Sequence, residues 1–354
     1  MMGTSDPFSG LTEGHRGRRI MWEGHDLIEL ESREIAVTVS LTRGAEFLEI
    51  RDKATDVDIL WHGHDDIRRN RVAPASIDLP AGAFLDHFAG GWQVVFPSAQ
   101  FPTTVRGAPL GQHGEAALLP WHLDRVFESA GEVGVDIHVD MRRLPVRMTR
   151  QIRLRSRQLT ITDTIENRSA QQLPVQWGHH LAVGGLMAEP GTTVILPEGA
   201  PVTVPDEFPS DTYRYSPGLY AWPLVSDRHG ESVRVDRLPL DDGTDGHFII
   251  GPLEDGRIEV RSPAAGLEML IEWDATVMPY CWIWEVFGGY REWPLWGKYR
   301  LFTVEPFTSP LEPLEESAAA GRALVLGSQD TKMMTTSMTL RPTAGEHLET
   351  VATL

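Results

Sequence analysis

The chain has 354 residues, 41% hydrophobic and 23% charged, the balance of a globular protein able to bury a core. A formal charge of −18 argues against a nucleic-acid partner, whose phosphates call for clustered Lys and Arg. A single cysteine excludes an internal disulfide or cysteine-cluster metal site, and no apolar run reaches signal-peptide or membrane-spanning length, so a cytoplasmic location is expected.

The first twenty residues hold no apolar core and are expected to be disordered. "REIAVTVSL" (33–41) then alternates apolar and polar, and 45–61 reads as two strands around a turn near Lys53–Asp56. Residues 134–169 predict three successive strands, broken at Leu144-Pro145 and near Ser156–Gln158. Within them Met148, Ile152 and Leu154 share one face, on which Arg150 is the only polar residue. Further strands are predicted at 192–197, 247–252, 257–262, 266–273, 280–287, 298–305 and 331–342. Helical periodicity is confined to 313–324, and the Pro/Gly-rich stretch 187–222 reads as surface loops. With no linker and no repeat, the expected architecture is all-β, one large antiparallel sandwich over 1–354.

Four stretches carry more ionisable and aromatic groups than packing requires. In "VQWGHHLAVG" (175–184) the adjacent His179 and His180 point to opposite faces of a strand, so one faces a cavity and the other packing. "GGWQVVFPSAQ" (90–100) is followed by "GQHGEAALLPW" (111–121), which sets His113 two residues from Glu115. "DDGTDGHFIIG" (241–251) contains Asp245, and in "PLWGKYRLFTVEPFTSP" (294–310) Glu305 ends an apolar strand, a costly place for a carboxylate that is neither paired nor used. The eleven tryptophans, among them Trp92, Trp121, Trp177, Trp293 and Trp296, suit sugars, whose C–H faces pack on rings while hydroxyls bond polar neighbours. Cys281, inside "PYCWIWEV", reads as a buried and inert thiol.

In their order along the chain, "RGAEFLEIRDKATDVDILW", "GGW…FP", "HGEA…PW", "WGHH", "GTDGHF" and "VEPFTSP" resemble the aldose 1-epimerases, the galactose mutarotase-like proteins. The resemblance implies a cofactor-independent isomerase, with no metal, on a galactose mutarotase-like β-sandwich. Glu305 is similar to the family's catalytic base. His180 is similar to its catalytic acid, although Leu181 stands where many members have proline, which keeps His179 in play. His113, Asp245 and Arg71 resemble groups that hold sugar hydroxyls, and Trp177 is a candidate, by proximity, to line the sugar's apolar face. The implied partner is a small aldose, free, phosphorylated or acidic, with no nucleic acid and no membrane; an exposed strand edge would also allow a homodimer.

Three rival readings follow from the same residues. A hydrolase or lyase would pair Glu305 with Glu115 or Asp245, because ordinary glycoside hydrolysis uses two carboxylates. A regulatory protein would bind a sugar without turning it over. A cupin-like metal site would draw on "WHGH" (61–64) and "HGE" (113–115), though no glutamate follows His62 and His64 at useful spacing.

Overall fold

The protein was analysed as a computed structural model that describes residues 7–8, 14–63, 82–206 and 211–343. Two antiparallel sheets stack face to face. Eight strands form one, in the order Thr193–Ile195, Gly256–Ser262, Leu267–Trp273, Thr331–Pro342, Gln158–Asn167, Val146–Arg155, Glu132–Asp140, His122–Ser129. Fourteen strands form the other, and its central run is Glu46–Asp52, Trp92–Val95, Gly178–Val183, Arg300–Phe307, Tyr280–Phe287, Thr244–Ile250, Pro201–Val204. This is the predicted antiparallel sandwich.

Period-2 patterning places the strands. Along Val146–Arg155 every second side chain is buried, from Val146 through Met148 and Ile152 to Leu154, and these pack in the same core cluster as Val94, Leu181 and Phe302 of the larger sheet. Arg150 lies on that buried face, and its charge is answered there. Its Nε and Nη2 donate to Asp163 at 2.7 and 2.8 Å, its Nη1 reaches the Ala45 carbonyl, in the turn before strand Glu46–Asp52 of the opposite sheet, at 3.3 Å, and its guanidinium lies 5.5 Å from the Trp121 ring. The pair lies within one sheet, and a buried pair of this kind adds little net stability although losing one partner is costly.

Three expectations need correction. The strand Arg16–Trp22 begins inside the segment expected to be disordered and pairs with His25–Glu31. The stretch 187–222 holds the strand expected at 192–197, as Thr193–Ile195, and two that were not expected, Pro201–Val204 and Gly218–Ala221, because brief alternating runs sit between its prolines and glycines. Besides the anticipated helix, found as Leu314–Ala319, a short helix Gly82–His87 lies where no helical period was visible.

Candidate active site

Strand Gly178–Val183 is buried on both faces, so alternation alone does not say which histidine faces which way. The neighbours decide. His179 points between the sheets, where Trp92 Nε1–H donates to its Nδ1 at 3.0 Å and its Nε2 lies 3.2 Å from Asp163 Oδ2. The tautomer follows: Nδ1 accepts, so the ring proton sits on Nε2, facing the carboxylate that Arg150 also holds. His180 points the other way, into a cavity of about 760 Å³.

That cavity gathers residues that are far apart in the chain. Gln93 stands opposite His180 on one side, and the pairing of Leu181 with Val304 brings Glu305 beside it on the other. His180 Nε2 lies 3.6 Å from Glu305 Oε1, and both side chains are about 95% buried. Trp282 stands opposite Glu305, and His247 opposite Trp284, so one face of three neighbouring strands presents an acid–base pair beside two indoles. The helix Gly82–His87 roofs this floor. Phe84 packs edge-on against His113 at 4.3 Å, and Phe88 edge-on against His180 at 5.0 Å.

His113 arrives from a tight turn. Its φ of +58° is one that a non-glycine residue holds at a cost of about 1 kcal/mol. Its backbone N–H donates to the Ala99 carbonyl at 2.7 Å, and Gly114 follows at φ +70°. A Cβ at Gly114 would meet the Phe96 carbonyl oxygen at 2.2 Å, so only glycine lets the turn approach that strand. Asp245 sits on Thr244–Ile250 and accepts from the Tyr290 N–H at 3.2 Å, while its own N–H donates to the Thr212 carbonyl at 3.0 Å. It thereby ties two loops to the cavity wall. Gly246 faces the core, where a Cβ would fall 2.4 Å from the Tyr215 ring. The next inward position of the strand is His247, and it also lines the cavity.

Burial dominates the electrostatics. It pushes Glu305 up to about 8 and His180 down to about 4, and it lowers His247 to about 3 and His113 well below the ordinary histidine range. At neutral pH the His180–Glu305 pair therefore holds one proton, on the carboxyl. Gln112 donates to Gln100 at 3.2 Å. Among the described residues Gln112 Oε1, His113 Nδ1 and His180 Nδ1 are buried without a hydrogen-bond partner, all three on residues that line this cavity. Such a convergence of unpaired polar atoms suits a ligand rich in hydroxyls.

Glu305, His180, His113 and Asp245 are thus brought together. Two other expectations are overturned. His179 is a core residue held by Trp92 and Asp163, and Trp177, of the same parity, is fully buried in the core cluster, where its backbone N–H donates to Thr308 Oγ1 at 3.0 Å. Neither lines the cavity; among the described residues the indoles that do are those of Trp282 and Trp284. Arg71 lies outside the described residues. Glu115 accepts the N–H groups of Arg142 and Arg143 at 3.1 and 3.0 Å and is absent from the cavity wall, which removes it as a hydrolytic partner of Glu305. Cys281 is fully buried in the core, its thiol pushed up by burial. His62 is bonded to Asp58 at 2.8 Å beside a separate cavity of about 320 Å³, apart from His113. Among the described residues no group of three or more His, Cys, Asp or Glu has the geometry to hold a metal ion.

The fold has close counterparts among solved structures. An aldose 1-epimerase candidate from Klebsiella pneumoniae subsp. pneumoniae superposes with a TM-score of 0.70 at 16% identity, over 92% of this chain and 84% of that one. A galactose mutarotase-like protein from Clostridium acetobutylicum gives 0.63 at 12% identity, over 91% and 97%. Another from Lactobacillus casei gives 0.53 at 19% identity, over 89% and 100%. At these identities the likeness establishes the galactose mutarotase-like fold. No curated protein matches the sequence. The model of a family described as a domain of unknown function (DUF4432) matches residues 22–340, and the chain belongs to that family.

Proposed function

We propose that the protein interconverts the α and β anomers of an aldose. The observation that carries this reading is the His180–Glu305 pair, 3.6 Å apart at the floor of a cavity walled by indole rings and hydroxyl-binding groups. The mutarotase-like names of its structural neighbours add support. Anomer exchange needs a proton taken from the C1 hydroxyl and another given to the ring oxygen. The ring opens, the C1–C2 bond turns, and the aldehyde recloses from its other face with both transfers reversed. Protons move and the bond from C1 to the ring oxygen breaks and re-forms with no redox change, so the chemistry calls for no metal or organic cofactor.

Glu305 acts as base and His180 as acid. Shift of the shared proton from Glu305 to His180 produces the carboxylate and imidazolium that begin the reaction, and sugar hydroxyls entering the cavity favour that charged form by bonding to it. Each positioned group contributes roughly 10²–10⁴-fold. His113, His247 and Asp245 hold hydroxyls, and Trp282 and Trp284 supply the apolar face. Among the described residues Asp211, Asp245 and Glu292 on the wall face one Arg291, with Glu305 held neutral by its proton, a balance that favours an uncharged sugar over a phosphorylated or acidic one.

The test is anomer exchange by NMR on free, phosphorylated and acidic aldoses, comparing wild type with Glu305→Gln. Accelerated exchange that drops by about 10²-fold or more in the variant is expected. Full activity in Glu305→Gln would remove the base assignment, and sugar binding without faster exchange would replace catalysis by a sensing role.

A further inference from the structure

We infer that the mouth of the cavity carries an outer subsite, built on Trp293 and Trp296, for the second ring of an uncharged disaccharide whose reducing ring occupies the cavity. This rests on the anomer-exchange reading and extends it to the size of the substrate.

The segment 290–299 carries part of the cavity wall. Tyr290, Arg291, Glu292 and Pro294 line the cavity, and Leu295 anchors the segment by packing in one cluster with Trp61, Val286 and Leu301. Internal hydrogen bonds stiffen it: Trp296 N–H donates to the Glu292 carbonyl at 2.8 Å, and Gly297 N–H to the Tyr290 carbonyl at 3.0 Å. Between these fixed points two indoles face solvent, Trp293 41% and Trp296 58% exposed. A single exposed apolar residue needs no explanation. Two tryptophans three positions apart, on the turn whose Arg291, Glu292 and Pro294 line the cavity, are a different matter.

Their backbone sharpens the point. Tyr290 and Trp296 take φ of +51° and +57°, left-handed conformations that bulky side chains avoid, and exposed Trp296 recovers little burial in return. The loop is thus shaped to hold an indole outward. The polar groups a sugar would bond to are adjacent: Glu292, and the exposed Arg291–Asp211 pair at 3.6 Å. A cavity of about 760 Å³ also stands in the upper part of the roughly 300–1,000 Å³ range of small-molecule pockets, more than one pyranose ring fills. Because the anomeric carbon must lie at His180 and Glu305, the substituent that projects through the mouth is the non-reducing ring.

The experiment compares glucose with maltose and galactose with lactose, on wild type and on the double variant Trp293→Ala/Trp296→Asn, asparagine being tolerant of left-handed φ. Anomer-exchange kinetics are read alongside saturation-transfer NMR of the bound sugars. The expected result is a fall of about tenfold in disaccharide kcat/KM, carried by KM, with monosaccharide exchange unchanged and saturation of the non-reducing ring lost. Equal loss on both sugar sizes, or no loss on either, overturns the outer subsite and leaves anomer exchange standing. If wild type exchanges no sugar yet saturates the non-reducing ring through these tryptophans, the catalytic reading fails and the subsite survives as a binding site.

Discussion

Replacing Glu305 by glutamine is expected to stabilise the fold while it abolishes exchange. Burial raises this carboxyl from its ordinary 4.5 to about 8, so the folded chain keeps a proton that the unfolded chain releases. Its contribution to stability is therefore complete below about pH 4.5 and is lost as the pH rises to about 8. At pH 7 the gap is 7 − 4.5 = 2.5 pH units, which at 1.36 kcal/mol each costs about 3 kcal/mol. Glutamine keeps the shape and has no proton to lose, so Glu305→Gln should gain about that amount at pH 7 and almost nothing at pH 4. An unfolding entropy of about 2.1 cal/mol/K per residue over 354 residues comes to about 0.7 kcal/mol/K, and the gain becomes about 4 °C in Tm. Thermal melts of both proteins between pH 4 and 8.5 read this directly. Equal melting at pH 7, or a difference that fails to shrink toward pH 4, would refute the claim that Glu305 is held in a costly environment for the sake of chemistry.

The same pair sets the pH profile: kcat/KM should be flat between about 4, where His180 takes a second proton, and about 8, where Glu305 gives up the shared one, and activity still rising above pH 8 would contradict it. Arg150→Met strands the Asp163 carboxylate between the sheets and should cost about 3–5 kcal/mol in urea unfolding; a loss under 1 kcal/mol would mean that the bridge is not needed. Trp284→Ala should raise KM about tenfold with little change in Tm. Trp177→Ala should instead cost about 3–5 kcal/mol of stability and leave KM alone, and a KM effect there would reverse the placement of the two indoles.

The strands were legible because alternation is a local signal: the pattern that buries Met148, Ile152 and Leu154 needs only neighbours two apart. Glu305 stood out for the same reason, as a carboxylate at the end of an apolar run. His247 was equally available, being two residues from Asp245 on one strand and therefore on the same face. Trp177 is close in sequence to His180, but strand parity groups it with His179 and hence with the core. The helix Gly82–His87 left no such trace. It is too short for a helical period to show, and Phe84 and Phe88 reach the site only through tertiary packing.

The division of labour between the two histidines is the case in which local pattern fell short and long-range partners decided. Alternation says that they differ, and nothing in the strand says how. What separates them is Asp163, on the other sheet and held by Arg150, which lies 3.2 Å from Nε2 of His179 while the Trp92 indole donates to Nδ1. A ring whose two nitrogens both face core groups turns neither toward a substrate. His180, one residue on, keeps Nδ1 without a partner among the described residues and turns Nε2 toward Glu305. Arg150, the polar exception on an otherwise apolar strand face, thus helps hold the core histidine in place, and with it the strand that turns the other toward the cavity.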